Sequence, residues 1–192
     1  MIETNRLVLR QWRDQDFPAF ANLCDDEAVM EFFPKRLTRA ESVAMGQRLQ
    51  SLIAQRGWGC WAVEVPGENP FIGFVGLHIP KPNLPFSPCV EIGWRLAKAY
   101  WGRGYATEAA IASLGYAFTQ LDLDQVVSFA TLANSRSQAV MKKLGMHRAG
   151  TFSHPDLEPT DPLCKHVLYK ISKSHWQASV NTTAAACVTL KS

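Results

Sequence analysis

Residues 90–121, VEIGWRLAKAYWGRGYATEAAIASLGYAFTQL, form the stretch around which the rest of the chain is interpreted. The apolar run from Val90 to Leu96 predicts a strand, and Gly102-Arg103-Gly104 follows it after a short link. Beyond the glycines, positions three or four residues apart place one set of side chains on a single helical face, namely Thr107, Ile111, Leu114, Phe118 and Leu121. The stretch therefore predicts a strand that leads through a glycine turn into a helix.

The glycine turn is suited to holding a phosphate group. The first turn of a helix has unpaired backbone N–H groups and the positive end of the helix dipole. Gly102 and Gly104 let a ligand approach the backbone without meeting a Cβ atom. On these two residues alone, a tight turn without a ligand is the favoured interpretation. The P-loop spelling and the GxGxxG dinucleotide fingerprint are both absent from this stretch, so neither nucleotide motif applies.

The wider pattern is similar to one known family. Residues 91–94 (EIGW) and 100–109 (YWGRGYATEA) resemble the acyl-CoA motif of the GNAT N-acetyltransferases, most closely the branch that contains the RimJ/RimL-type protein N-terminal acetyltransferases. Residues 134–137 (NSRS) and 143–146 (KLGM) are similar to that branch's Asn-x-x-Ser and Lys-Leu-Gly-Phe elements, and residues 4–10 resemble its first strand. The resemblance extends from about residue 3 to about residue 172.

The resemblance implies a GNAT-type α/β (α+β) fold. Such a fold has a mixed, mostly antiparallel central sheet flanked by helices, and its two central parallel strands diverge in a V-shaped splay. Here the resemblance assigns these two strands to residues 90–96 and 126–131. A single acetyltransferase domain then covers residues 1–177, and residues 178–192 form a C-terminal tail of mostly small, uncharged residues.

Local signals along the chain agree with this architecture. Thr38-Arg39-Ala40-Glu41 is a capping box, which predicts a helix over residues 39–56. Asn134 can cap a helix over residues 135–144, and Gly145 supplies its left-handed stop. The remaining pattern predicts helices over residues 14–23 and 26–33, strands over residues 7–9, 58–65, 71–79, 146–151 and 165–171, and proline-rich loops over residues 80–88 and 154–162.

Composition and charge exclude several classes of protein. The chain has 192 residues, 47% of them apolar, and a formal net charge of +3 without a run of Lys or Arg, so nucleic acid is not an expected partner. The five cysteines form no CxxC pair, which argues against a disulfide framework or a metal site. The N-terminus lacks signal-peptide features and no apolar run is long enough to span a bilayer, so a cytoplasmic protein without a membrane partner is expected.

By resemblance, the cofactor is acetyl-CoA, whose pantetheine arm enters the gap between the two central strands. Backbone groups of the first strand would contact the pantetheine and the thioester, at Trp94, Arg95 and Leu96. The turn and the helix start would hold the pyrophosphate through Gly102, Arg103, Gly104, Tyr105, Ala106 and Thr107, although a solvated arginine is the alternative for Arg103. Many GNAT proteins have Gln or Arg where this chain has Trp101, so backbone N–H groups rather than this side chain carry the prediction.

An amine attacks a thioester only when it is neutral, so the enzyme must remove a proton and help the thiolate to leave. Ser137 matches the branch's serine near the cofactor sulfur and is predicted to donate a hydrogen bond to the thiolate, and an ordinary serine in a first helical turn is the alternative. Glu91, a carboxylate on a central strand, is the candidate general base, and a structural ion pair fits it equally well. Asn134 is expected to bond the pantetheine arm, which is compatible with its capping role.

Two functions from different classes are open. The first is an N-acetyltransferase that moves an acetyl group from acetyl-CoA to a primary amine, either a protein N-terminus or a small molecule, by direct attack in a ternary complex. The second is an acyl-CoA-binding module with little catalysis, and transfer of another acyl group such as succinyl is a further alternative. Ser137 and Glu91 favour the enzyme.

The acceptor side is built from variable loops and carries weaker signals. Phe32, Phe33 and Trp58 are candidates for its lining, although core packing is the more common role of any one aromatic residue. The acidic residues of the second proline-rich loop are placed to attract a cationic amine, and surface solvation explains them equally well: Asp156, Glu158 and Asp161. The sequence leaves open whether the protein forms a homodimer.

Overall fold

The computed structural model describes residues 1–179. Their strands are β1 (Ile2–Glu3), β2 (Val8–Arg10), β3 (Cys60–Val65), β4 (Asn69–His78), β5 (Glu91–Leu96), β6 (Gln125–Thr131), β7 (His147–Ser153) and β8 (Lys165–Ser172). Their helices are α1 (Phe17–Asp25), α2 (Glu27–Met30), α3 (Arg39–Arg56), α4 (Tyr105–Thr119) and α5 (Ser135–Lys143), with short 3₁₀ turns at Asp14–Asp16 and Lys98–Tyr100. Residues 173–179 are also helical. None of the helices in the described part of the chain combines the length and apolar character that crossing a bilayer requires.

The described strands form one sheet in the order β1-β2-β3-β4-β5-β6-β8-β7. Neighbouring strands are antiparallel except for β5 and β6, which run parallel. Parallel neighbours need a crossover, and α4 provides it while packing across β4 and β5. The predicted mixed, mostly antiparallel sheet flanked by helices is confirmed.

Helices cover both faces of the central strands. On one face, the Tyr116 ring of α4 meets the Trp61 ring of β3 edge to face, with centroids 5.3 Å apart. On the other face, the Trp12 ring packs against Phe20 of α1 and Phe74 of β4, at centroid distances of 5.0 and 6.2 Å. Because side chains alternate between faces along a strand, the same strands fill both layers of the core.

Helix α3 begins and ends where its local sequence predicts. The Thr38 hydroxyl accepts a hydrogen bond from the Glu41 N–H, and the Glu41 carboxylate accepts one from the Thr38 N–H at 2.8 Å. Gly57 ends the helix with a left-handed φ of 78°. The free backbone N–H and carbonyl groups at both ends of α3 find hydrogen-bond partners in neighbouring residues, which is why the local pattern was sufficient to predict the two ends.

Other local predictions differ from the structure. Helix α2 ends at Met30 rather than at Phe33, because the chain turns there and a residue that precedes proline, here Pro34, disfavours helical geometry. The short strand β1 and the helical residues 173–179 were not predicted, since β1 has only two residues and Trp176 of the helical segment packs against Phe118, which is far from it in the sequence. The predicted tail, residues 178–192, lies almost wholly outside the described residues.

Candidate active site

The two parallel strands diverge soon after they meet. Within the described residues, Glu91 and Val127 are the single register pair between β5 and β6, whereas β6 makes seven pairs with β8. The Val90 carbonyl accepts a hydrogen bond from the Val127 N–H at 3.0 Å, so it points toward β6. The backbone groups of every second residue in a strand point to the same side, so those of Trp94 and Leu96 also point toward β6. Beyond the divergence these groups face no described strand, and β5 presents a free edge to the gap.

A cavity of about 320 Å³ lies at this divergence. Its wall combines α2 and the turn after it, the end of β5, the start of α4 and the first turns of α5. Most residues of the predicted site line it, together with two of the predicted aromatic residues: residues 94–96, Gly102, residues 104–107, Asn134, Ser137, Phe32 and Phe33. Glu91, Arg103 and Trp58 are not part of this lining. The fold thus gathers segments that are far apart in the sequence.

The start of α4 opens onto this cavity. Gly102 and Gly104 have left-handed φ values of 74° and 82°, and Gly104 occupies the N-cap position. No side chain among the described residues caps the helix there. The N–H groups of residues 105–107 therefore lack helical partners, and phosphate oxygens are acceptors that suit such a helix start.

Trp101 closes the end of β5. Its indole Nε1 donates a hydrogen bond to the Leu96 carbonyl at 2.8 Å, which occupies one acceptor position on the free edge. The Arg136 guanidinium lies 4.7 Å from the centre of the Trp101 ring and forms an ion pair with Glu31 just after α2. These contacts connect α2, α5 and the glycine turn, and no local pattern in the sequence signals them.

Asn134 and Ser137 lie together at the start of α5. The Asn134 Oδ1 accepts a hydrogen bond from the Ser137 N–H at 3.0 Å, which is the helix cap that the sequence predicts. The Ser137 hydroxyl makes no hydrogen bond to any described residue, although Ser137 lines the cavity. Its O–H is therefore available to a bound molecule.

Glu91 forms an ion pair with His78, its neighbour in the β4–β5 ladder. The two side chains approach to 3.2 Å between His78 Nε2 and Glu91 Oε2, and Glu91 is 8% exposed. Burial acts to lower the pKa of His78, but the Glu91 carboxylate and the nearby Cys60 outweigh it and raise that pKa to about 10. His78 is therefore protonated at neutral pH. This pair is the structural role that the sequence left open for Glu91.

A direct sequence match identifies the family to which the chain belongs. Residues 6–147, more than half of the chain, match the family model described as acetyltransferase (GNAT) domain. The chain belongs to the GNAT acetyltransferase family. It is an acetyl-CoA-dependent acyltransferase, and acetyl-CoA is its cofactor.

Several known proteins are similar to this GNAT acetyltransferase. YnaD of Bacillus subtilis, an uncharacterized N-acetyltransferase, is 31% identical over 152 residues, 79% of this chain and 85% of the relative. YdaF of the same organism, whose name marks it as a candidate ribosomal N-acetyltransferase, is 37% identical over 84 residues, 43% of this chain and 44% of the relative. The crystal structure of a GNAT-family acetyltransferase from Bacillus anthracis has a TM-score of 0.75 at 27% identity, covering 90% of this chain and 98% of that one. The predicted resemblance to the GNAT family is confirmed, and the name of YdaF is the one among these relatives that points to the ribosomal-protein acetyltransferases.

In the acetyltransferase, Arg103 lies beside the cavity rather than in its wall. Its guanidinium is 3.6 Å from the Glu68 carboxylate and 5.3 Å from the centre of the Tyr100 ring, and both members of the ion pair are half exposed. The Arg103 carbonyl accepts a hydrogen bond from Arg6 Nη1 at 3.0 Å. The hydrogen bond from Arg6 thus fixes the backbone of the glycine turn, while the Arg103 side chain is half exposed to solvent.

The acidic residues of the second proline-rich loop have different surroundings. The Asp156 carboxylate accepts hydrogen bonds from Lys81 Nζ at 2.6 Å and from Asn83 Nδ2 at 3.0 Å, which joins the two proline-rich loops. The hydrogen bond from Lys81, followed by that from Asn83, lowers the pKa of Asp156. Asp161 accepts a backbone hydrogen bond within its own loop, and Glu158 is exposed. Asp156 therefore connects loops, which the sequence did not predict.

An aromatic cluster between these loops and the sheet was also missed by the sequence. Phe86, Phe129 and Phe152 contact one another with ring centroids 4.9 to 5.7 Å apart. His154 and His166 border them, with their own rings 5.1 Å apart. The five rings come from separate loops and strands, so only the sheet order brings them together.

Proposed function

We propose that this acetyltransferase transfers the acetyl group of acetyl-CoA directly to the nitrogen of a primary amine while both reactants are bound. One observation carries the proposal: the free edge of β5, the uncapped start of α4 and Ser137 border the same cavity. The N–C bond forms as the C–S bond breaks, the amine loses one proton, and CoA leaves as a thiol. Holding the reactants in place can supply about 7–11 kcal/mol of the rate enhancement.

The residues around the cavity fit acetyl-CoA, which supplies the activated acetyl group as a thioester. Trp94 offers its backbone N–H and carbonyl and Leu96 offers its N–H along the free edge, to which the pantetheine amides can bond as an added strand does. The N–H groups of residues 105–107 offer donors for the pyrophosphate. The Asn134 amide nitrogen is left for the pantetheine because its oxygen caps α5, and Arg103 reaches a phosphate by leaving Glu68.

Ser137 is the proposed donor to the leaving thiolate. Its N–H is engaged by Asn134, which orients the residue, and its hydroxyl has no partner among residues 1–179. A hydrogen bond from this hydroxyl would stabilise the negative charge that develops on sulfur as the C–S bond breaks.

Glu91 is the proposed acceptor of the amine proton, acting through water. Because Glu91 lies outside the cavity lining, a water molecule must carry the proton to it. The protonated His78 beside it compensates its charge in a site that is mostly buried. Glu91 lies at the point where β5 and β6 begin to diverge, which supports this role.

The acceptor in this proposal is a protein N-terminus or a small-molecule amine. The name of the relative YdaF points to a ribosomal acceptor for that protein. We also place the reaction in the cytoplasm, and the free thiols of the described cysteines support a reducing compartment: Cys24, Cys60, Cys89 and Cys164.

A Ser137→Ala variant tests the proposed reaction. Thiol release from acetyl-CoA is followed with a panel of small amines and peptides that have free N-termini. We expect kcat to fall about 100-fold while the KM for acetyl-CoA changes little, because the lost hydrogen bond acts on the leaving group. Ser135→Ala is the matched control, since Ser135 is exposed in the same helical turn and does not line the cavity.

Two results would contradict the proposal. Tight CoA binding without thiol release for any amine would identify an acyl-CoA-binding module instead of an enzyme. An unchanged kcat in Ser137→Ala, equal to that of the Ser135→Ala control, would remove Ser137 from the reaction.

A further inference from the structure

Arg95 is a buried arginine that forms no ion pair with any carboxylate of residues 1–179. It is 8% exposed, and its one hydrogen bond within these residues runs from Nη1 to the Cys24 sulfur at 3.3 Å. The rings of Phe33 and Phe74 lie 4.1 and 5.5 Å from its guanidinium carbon. Cation–π contacts offset a part of the cost of burial, but a buried charge is normally paired with an opposite charge. Within the described part of the chain, the buried guanidinium of Arg95 therefore lacks the opposite charge that a buried cation normally has beside it.

The side chain of Arg95, rather than its backbone, is what faces the cavity. Arg95 is paired with Phe74 in the β4–β5 ladder, and its backbone N–H and carbonyl point toward β4. Because backbone groups of successive residues point to opposite sides of a strand, those of Trp94 and Leu96 face the gap. Arg95 and Phe33 both line the cavity. The contact that the sequence predicted through the Arg95 backbone is therefore available only through its guanidinium.

One edge of the guanidinium has no partner. An arginine carries five N–H donors in a planar fork, and the edge formed by Nε and Nη2 matches both oxygens of a carboxylate. Nη2 makes no hydrogen bond to any described residue and is the donor that a ligand in the cavity meets first; Nε is buried without a hydrogen bond, so the second carboxylate oxygen reaches it only when the surrounding side chains move aside. Burial lowers the pKa of Arg95, as expected for a cation without an anionic neighbour, yet an arginine stays protonated at neutral pH.

We propose that Arg95 binds a carboxylate that one of the two reactants carries into the cavity. The inference rests on the acyl transfer to an amine in the proposed function: a carboxylate on the acceptor specifies the substrate class of that transfer, whereas a carboxylate on the acyl group replaces acetyl as the group transferred. One source is an acceptor amine that bears a carboxylate, as an α-amino acid does, and the other is an acyl group with a terminal carboxylate, such as succinyl. The cavity wall formed by Ala28, Val29, Phe32 and Phe33 suits an apolar remainder of that reactant.

Matched substrates separate the two sources. With acetyl-CoA as donor, leucine is compared with leucinamide, and rates are expressed per neutral amine because amidation lowers the pKa of the amine. With leucinamide as acceptor, succinyl-CoA is compared with acetyl-CoA. We expect a preference of about 100-fold in kcat/KM for the carboxylate-bearing reactant in one of the two comparisons, as for a charged pair in a desolvated site.

The preference should depend on the guanidinium. In Arg95→Gln we expect the ratio of the two kcat/KM values to approach one, and a ratio within one variant is insensitive to a partial loss of folded protein. Arg95→Lys keeps the charge without the planar fork and should retain an intermediate preference. Arg56→Gln removes an exposed arginine outside the cavity and should retain the wild-type ratio.

Binding provides a readout that does not need turnover. Calorimetry compares N-acetylleucine with N-acetylleucinamide on CoA-loaded protein, and succinyl-CoA with acetyl-CoA on free protein. Turnover of several amines without a carboxylate preference in either comparison, or a preference that persists in Arg95→Gln, would overturn the inference and leave the proposed function intact. If no amine is turned over, the proposed function fails, and the calorimetric comparison alone decides whether Arg95 binds a carboxylate.

Discussion

The charges of Glu91 and His78 are stabilised by the ion pair between the two side chains. They occupy opposite positions in the β4–β5 ladder, and neither residue alone indicates the ion pair that they form. The pattern of apolar residues in β5 indicates that Glu91 lies on a buried strand, but the partner depends on the register between two strands. A buried carboxylate on a central strand can therefore be recognised from the sequence, whereas the residue that balances its charge cannot.

The His78–Glu91 pair predicts a specific pH dependence of stability. The folded protein holds the His78 proton more tightly than the unfolded chain does, because its pKa rises from the ordinary 6.5 to about 10. The resulting stabilisation is fully present below pH 6.5 and is lost as the pH rises toward 10. We expect His78→Gln to be less stable than the wild type below pH 6.5 and the two to converge toward pH 10, as measured by urea unfolding.

An exposed histidine supplies the control for this experiment. His147 lies at the exposed start of β7, so His147→Gln should change the free energy of unfolding little at any pH. A difference between wild type and His78→Gln that stays constant over the whole pH range would show that the pair does not hold the proton.

Helices α3 and α4 begin in opposite ways, and the contrast supports α4 as the proposed phosphate-binding helix. At α3, Thr38 and Glu41 satisfy the first donors with their own side chains. At α4, Gly104 takes the N-cap position in a left-handed conformation and no described side chain caps the helix. A helix start that faces a cavity without a cap leaves its donors to a bound anion. This distinction is visible in the sequence as a capping box at one helix and GRG at the other.

Gly104→Ala tests the role of the α4 start. A Cβ atom at a φ of 82° strains the backbone by about 1 kcal/mol, and the N–H groups that follow should shift from their positions. We expect a lower free energy of unfolding and CoA binding weakened about tenfold, by calorimetry. Gly67→Ala is the matched control, because Gly67 has a φ of 76° in the β3–β4 turn and a Cβ there meets nothing within 4 Å.

The Gly104→Ala and Gly67→Ala variants should therefore differ in their affinity for CoA and not in their free energy of unfolding. Both should lose a similar amount of stability, since both place a side chain in left-handed backbone. Equal CoA affinity in the two variants would mean that the α4 donors do not bind the cofactor.

At the scale of the whole molecule, the sheet consists of two antiparallel parts joined at one register pair. Strands β1 to β5 form one part and β6, β8 and β7 form the other, with Glu91 and Val127 between them. Each part is held by its own ladder and by the helices that cover it, so the gap between β5 and β6 follows from the packing of the two parts. The free edge is a property of this arrangement and not of any single strand.

The gap predicts a residue-by-residue pattern of amide exchange. Without CoA, the N–H groups of Trp94 and Leu96 face the gap, whereas that of Arg95 faces β4. We expect CoA to slow exchange at Trp94 and Leu96 about tenfold or more and to change Arg95 little, as measured by NMR-detected hydrogen exchange. Equal protection of all three amides before CoA is added would show that the strands are paired along their whole length.

The sequence by itself determined the elements whose hydrogen bonds close within a few residues. These are the capped start of α3, the Asn134 cap of α5 and the strand, glycine turn and helix of residues 91–119. The resemblance to the family predicted the divergence of β5 and β6, and only the tertiary structure decided the pairing of His78 with Glu91 and the unpaired edge of Arg95. The physical reason is that capping and turn geometry depend on neighbouring residues, whereas register, burial and charge partners depend on which distant segments pack together.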